Sequence, residues 1–99
     1  MANDTIKVAV SEPLTHVAVL VENMGEEGPR IHGVFTDLGS AVLMASSCYL
    51  DVKKTQIEAI PLNTPLTADL TRSAYEQGTC LCGVTAVYDL NGNLLREFE

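Results

Sequence analysis

Apolar and polar residues alternate along most of this chain, with one stretch of helical spacing in the middle. Ile6, Val8 and Val10 alternate with Lys7 and Ala9, which predicts a first strand that Ser11-Glu12-Pro13 interrupts. Within 14–22, Val17, Val19 and Val21 share one face, and His16, Ala18, Leu20 and Glu22 the other. The density of β-branched residues favours a strand. Apolar residues on both faces predict an interior strand, or one covered by a second copy of the chain. Residues 23–29 hold two glycines and two glutamates and predict a turn. Residues 30–36 then return, closing a hairpin with a long loop. In this strand Ile31, Gly33 and Phe35 are assigned to one face, and Arg30, His32, Val34 and Thr36 to the other.

The period changes at Thr36-Asp37, where a short oxygen-bearing side chain can accept from the free amides of a first helical turn. Leu38, Ala41, Val42, Ala45, Cys48 and Tyr49 recur at helical spacing and predict a helix over 38–50. Leu43, Met44 and Leu50 lie off that stripe. A helix apolar most of the way round predicts a second partner, so a homo-oligomer through the helix 38–50 is expected. The alternative is a helix covered by the chain's own C-terminal segment.

Residues 55–62 predict another strand, placed at a sheet edge because Pro61 cannot donate to a ladder. Residues 63–78 fit either a short helix opened by Thr64-Pro65, with Leu66, Leu70 and Ala74 in one row, or a structured loop. Residues 79–89 predict a strand, Asp89-Leu90-Asn91-Gly92 a type I turn with a left-handed fourth residue, and 93–98 the return. That register pairs Tyr88 with Leu94 and Val84 with Phe98. A two-residue Asn-Gly turn would pair Thr85 with Phe98 instead. The pattern as a whole predicts one α+β domain over 1–99. It is a small antiparallel sheet of four to six strands, with one main helix on one face and a C-terminal hairpin.

Composition narrows the function. Six basic residues stand against 13 acidic ones, a formal net charge of −7. Sequence-independent nucleic-acid binding needs the opposite balance, so no direct nucleic-acid contact is expected. An acidic chain suits a partner with a basic surface. Residues 1–4 are polar and the apolar run 17–21 is too short to span a bilayer, so neither a signal peptide nor a membrane span is expected. Three cysteines, an odd number, argue against a disulfide framework and for a reducing, cytoplasmic setting.

Cys80 and Cys82 fall on one face of the predicted strand beside Val84, Ala86 and Tyr88, a core face. Zinc needs about four ligands, and only the isolated Cys48, His16 and His32 are available to complete a set, so no metal is expected. His16 and His32 lie in the first hairpin and face each other in one possible register. No spacing sets a nucleophile beside either, and Ser46-Ser47 lies within the predicted helix. The phosphate-binding glycine patterns are missing. No catalytic residue and no cofactor are therefore expected. The candidate binding residues are Glu22, Glu26 and Glu27 as an acidic contact surface with Asp37 nearby, and Arg30, His32, Arg72 and Tyr75 as groups able to grip and stack an anionic ring compound.

His16 to Glu22, Gly33-Val34-Phe35-Thr36-Asp37-Leu38, Ala41 to Ala45 and Ile57-Glu58-Ala59-Ile60-Pro61-Leu62-Asn63 follow one another in a recognisable order. Over 16–63 this resembles a pattern common in small phage-encoded α+β accessory proteins. The N-terminal strand and residues 64–78 depart from it. The resemblance implies a non-enzymatic inhibitor or adaptor that binds a host protein, such as a defence-system component, in the host cytoplasm. Two alternatives stay open: an oligomeric binder that sequesters a small nucleotide-like signal, and a structural or virion-assembly protein.

Overall fold

The computed structural model describes residues 15–68 and 78–98. The predicted strand over 6–10 and most of the ambiguous segment 63–78 lie outside the described residues. The described elements are β1 (His16–Asn23), a 3-10 turn (Gly25–Glu27), β2 (Pro29–Phe35), α1 (Leu38–Ser46), β3 (Thr55–Pro61), β4 (Ala86–Tyr88) and β5 (Leu94–Glu97). The strands form one antiparallel five-stranded sheet in the order β2-β1-β3-β4-β5. With α1 packed on one face, this is the α+β architecture that the pattern predicts. No described helix is long and apolar enough to cross a membrane.

Both faces of the sheet are covered. On one, Ala18, Leu20 and Ile57 meet Ala41 and Ala45 of α1, with Phe35, Leu38, Val42, Leu50, Tyr88 and Leu90 packed around them. On the other, Val19, Val21 and Ile60 meet Leu81, flanked by Val17, Cys80 and Val84. The segment 78–85 therefore does on the second face what α1 does on the first. This explains why β1 is apolar on alternate residues of both faces.

α1 starts where its cap predicts. The Asp37 carboxylate accepts from the Ser40 N–H at 2.7 Å, and these bonds hold its pKa below the ordinary value. It ends at Ser46, several residues before the predicted 50. The Ser46 and Ser47 hydroxyls both donate to the Leu43 carbonyl, and the Ser47 and Cys48 N–H groups reach back only three residues. That tightened turn closes the helix. Cys48 and Tyr49 consequently lie exposed past its end, while Leu50 folds back into the core.

Four other expectations are corrected. β3 is interior, between β1 and β4. Its Pro61 is tolerated because the β3–β4 pairing stops at Ala59↔Ala86, so no strand seeks a donor from the proline. A bulge in β2 leaves His32 unpaired between Val21↔Ile31 and Leu20↔Gly33, so Ile31 lies with Val21 on the face opposite Gly33 and Phe35. The predicted strand over 79–89 shrinks to Ala86–Tyr88, since Gly83 takes φ +76° and turns the chain. Cys80 and Cys82 thus flank the buried Leu81 on a loop and are themselves only partly buried.

The C-terminal turn forms as predicted. The Gly92 N–H donates to the Asp89 carbonyl at 3.0 Å, Gly92 has φ +89°, and Tyr88 pairs with Leu94. A bulge one residue further on shifts the register. Ala86 then faces Glu97, and the Phe98 N–H donates to Thr85 rather than pairing with Val84.

Candidate functional site

The β1–β2 hairpin gathers five of the seven predicted binding residues. Glu22 and Arg30 are cross-strand partners next to the turn. His32, pushed out by the bulge, donates from Nε2 to Glu22 Oε1 at 2.9 Å. Glu26 and Glu27 lie in the 3-10 turn at the tip and are exposed to solvent. Gly25 and Gly28 flank them at φ +67° and +83°, and the Asn23 side chain accepts from the Gly25 N–H at 2.9 Å. The tip is thus fixed by its own backbone, and its two carboxylates are left for contact.

Arg72 and Tyr75 lie outside the described residues. Asp37 is not part of this cluster: it caps α1 beyond the far end of β2. His16 and His32 do not face each other. His16 pairs in register with Pro61 on the β3 side and bonds the Thr15 hydroxyl.

Among the described strands β2 lies at an edge of the sheet, and Ile31 and Val34 are exposed on it. An edge of this kind offers backbone groups and apolar side chains to an incoming chain. Beside the hairpin tip opens a cleft of about 710 Å³. Its walls are Asn23–Gly25 from the hairpin (23–25), the lead-in to β3 (52–56), the start of the second-face loop (78–80) and the β4–β5 turn with Leu95 (89–91, 95). The cleft exists because β4 and β5 peel away from β3 after the Ile57↔Tyr88 pair, whereas β1 stays paired to β3 as far as Thr55.

The loop wall of the cleft is held by a buried residue that sequence reasoning did not single out. Glu58 lies 0% exposed in β3, between Val19 and Val87 in register. Its carboxylate accepts from the Cys80 N–H at 2.8 Å, the Leu81 N–H at 3.0 Å and Gln56 Nε2 at 2.6 Å. Gln56 Nε2 also donates to the Gly78 carbonyl at 2.6 Å. Burial raises the Glu58 pKa, and the hydrogen bonds from Gln56, Cys80 and Leu81 oppose that rise. Burial, together with the neighbouring Glu58, pushes the Cys80 thiol up to about 12, so it stays protonated and unreactive. The available signal was a carboxylate placed between Ile57 and Ile60 on a strand with apolar neighbours, since a buried charge demands donors.

Among the described residues, no three or more His, Cys, Asp or Glu side chains gather as a metal site would require. Compared with known proteins, the chain matches no family model, no curated protein and no solved structure.

Proposed function

We propose that this chain is a non-enzymatic inhibitor or adaptor of the phage-encoded kind, which binds a basic surface of a host protein through its β1–β2 hairpin. The observation that carries the reading is the hairpin tip. It presents Glu26 and Glu27 to solvent on a hydrogen-bonded turn, next to a strand at the edge of the described sheet with exposed Ile31 and Val34. Acidic side chains steer a basic partner into place, and the apolar edge supplies contact once it arrives. A host defence protein is one such partner, and the cytoplasm is where the two would meet.

The reading is tested by capturing a stoichiometric partner from host lysate with the wild-type chain, then repeating the capture with the double variant Glu26→Lys, Glu27→Lys. The substitutions lie on a solvated turn, so the circular dichroism spectrum should not change. The account expects the partner to be lost with the variant and released from the wild type as salt is raised. Capture that survives both changes contradicts it, and so does a lysate that yields no partner.

A further inference from the structure

The register of β1 with its two neighbours fixes which backbone groups of β2 point outward. The Asn23 N–H donates to the Lys54 carbonyl, and the Thr15 carbonyl accepts from the Leu62 N–H. Odd-numbered residues of β1 therefore turn their backbone groups toward β3. Ala18, Leu20 and Glu22 turn theirs toward β2, where they meet Phe35, Gly33 and Arg30. Ile31 and Val34, on either side of the His32 bulge, are left with N–H and C=O groups directed away from β1, along the edge of the described sheet.

The side chains there are sorted by face. Ile31 and Val34 pair with Val21 and Val19, so both lie on the second face, 40% and 48% exposed. Arg30 pairs with Glu22, and Glu22 holds His32, so the charged groups of the stem keep to the other face. Pro29 is the next outward-facing residue toward the tip and has no N–H. A ladder along this edge stops there, just short of the turn that carries Glu26 and Glu27.

We infer that the partner segment seated on this edge is an extended strand that joins β2 antiparallel, apolar on alternate residues and carrying lysine or arginine at its C-terminal end. The inference rests on the hairpin being the partner surface, and it names what the partner must offer. Antiparallel pairing is the commoner and better-bonded arrangement. β2 runs away from the tip, so an antiparallel strand runs toward it, and its last residues arrive beside Glu26 and Glu27. One alternate set of its side chains falls on Ile31 and Val34 and is apolar. The other set falls on the side of Arg30 and His32 and is polar.

The test is fluorescence anisotropy of the full chain with two short labelled peptides of one composition. One is Thr-Val-Thr-Val-Thr-Lys-Lys, and the other has both lysines moved to the front. The first is expected to bind about threefold tighter, the worth of exposed ion pairs. Glu26→Lys with Glu27→Lys should abolish that preference. Val34→Pro removes an outward N–H and an apolar contact but no bond to β1, and should weaken the first peptide about tenfold. Methylating the backbone nitrogens of one alternate set of peptide residues should abolish binding, while methylating the other set leaves it, a readout independent of how any variant folds. The inference is overturned if neither peptide binds, if the lysines in front bind equally or better, or if both methylated sets behave alike. It is also overturned if the Ile31 and Val34 N–H groups of the free chain exchange as slowly as those of Gly33 and Phe35, since the edge would then already be paired. Capture of a host protein that still depends on Glu26 and Glu27 would in those cases keep the tip as the partner surface without the strand, so the two failures are told apart.

Discussion

At the scale of single residues, Glu58 makes the most specific commitment. Its two oxygens take N–H donors from Cys80, Leu81 and Gln56, so an amide in its place must turn an NH₂ group toward another donor. Glu58→Gln should cost about 1–3 kcal/mol, the penalty for leaving buried partners unsatisfied, and should speed amide exchange at Cys80 and Leu81. The pH dependence has a definite sign. The folded pKa lies above the ordinary 4.5, so the native state binds the proton more tightly than the unfolded chain. The stability this contributes is fully present below pH 4.5 and is lost as pH rises through the folded value. Urea titrations should therefore show the gap between wild type and Glu58→Gln widest under acid and narrowing toward neutrality. A gap that widens with pH would mean that the carboxylate is favoured in its charged form. The apolar neighbours of Glu58 signal its burial, but its backbone donors are not legible in sequence, because they join β3 from residues more than 20 positions further along the chain.

Among the elements, what was legible was local. The Asp37 cap, the Glu26–Glu27 turn and the Asp89–Gly92 turn each depend on neighbours within four residues, and each forms where the pattern puts it. The bulges at His32 and Leu95 and the interior place of β3 depend on strands distant in sequence, and the alternation alone did not show them. The C-terminal turn also has a tertiary duty. A Cβ on Gly92 would lie 3.2 Å from Val42 Cγ2, so the turn packs on α1 as well as taking φ +89°. Gly92→Ala should lower stability by about 1–3 kcal/mol through backbone strain, while Asn91→Ala, exposed in the same turn, should stay within about 0.5 kcal/mol. Equal effects in thermal unfolding would deny Gly92 its special conformation. Asp37 and Asp89 both have lowered pKa values, from the hydrogen bonds of the Ser40 and Asn93 backbones first. Their contribution is present above 3.8 and lost as pH falls through their folded values, opposite in sign to that of Glu58.

For the molecule as a whole, two surfaces remain to be occupied. Leu43 and Val52 are 69% and 73% exposed, with Met44 and Tyr49 nearby in sequence and also exposed. We propose that this apolar surface, at and beyond α1, is where copies of the chain meet, as the all-round apolar helix predicts. Light scattering should give a multiple of the chain mass for wild type and the single-chain mass for Leu43→Lys. A wild-type monomer would remove the proposal. The hairpin lies elsewhere and stays open for a different protein. Its acidic tip was legible because glycine-flanked glutamates on a turn have nowhere to be buried. The cleft beside it was not legible, because it depends on where two strands part. The most direct test of the partner surface is a hydrogen-exchange footprint of the chain alone and with its captured host protein. The account predicts protection concentrated on residues 22–34, from the paired Glu22 through the tip to the exposed β2 edge. Protection centred on α1 or on the β4–β5 hairpin, with 22–34 unchanged, would contradict it.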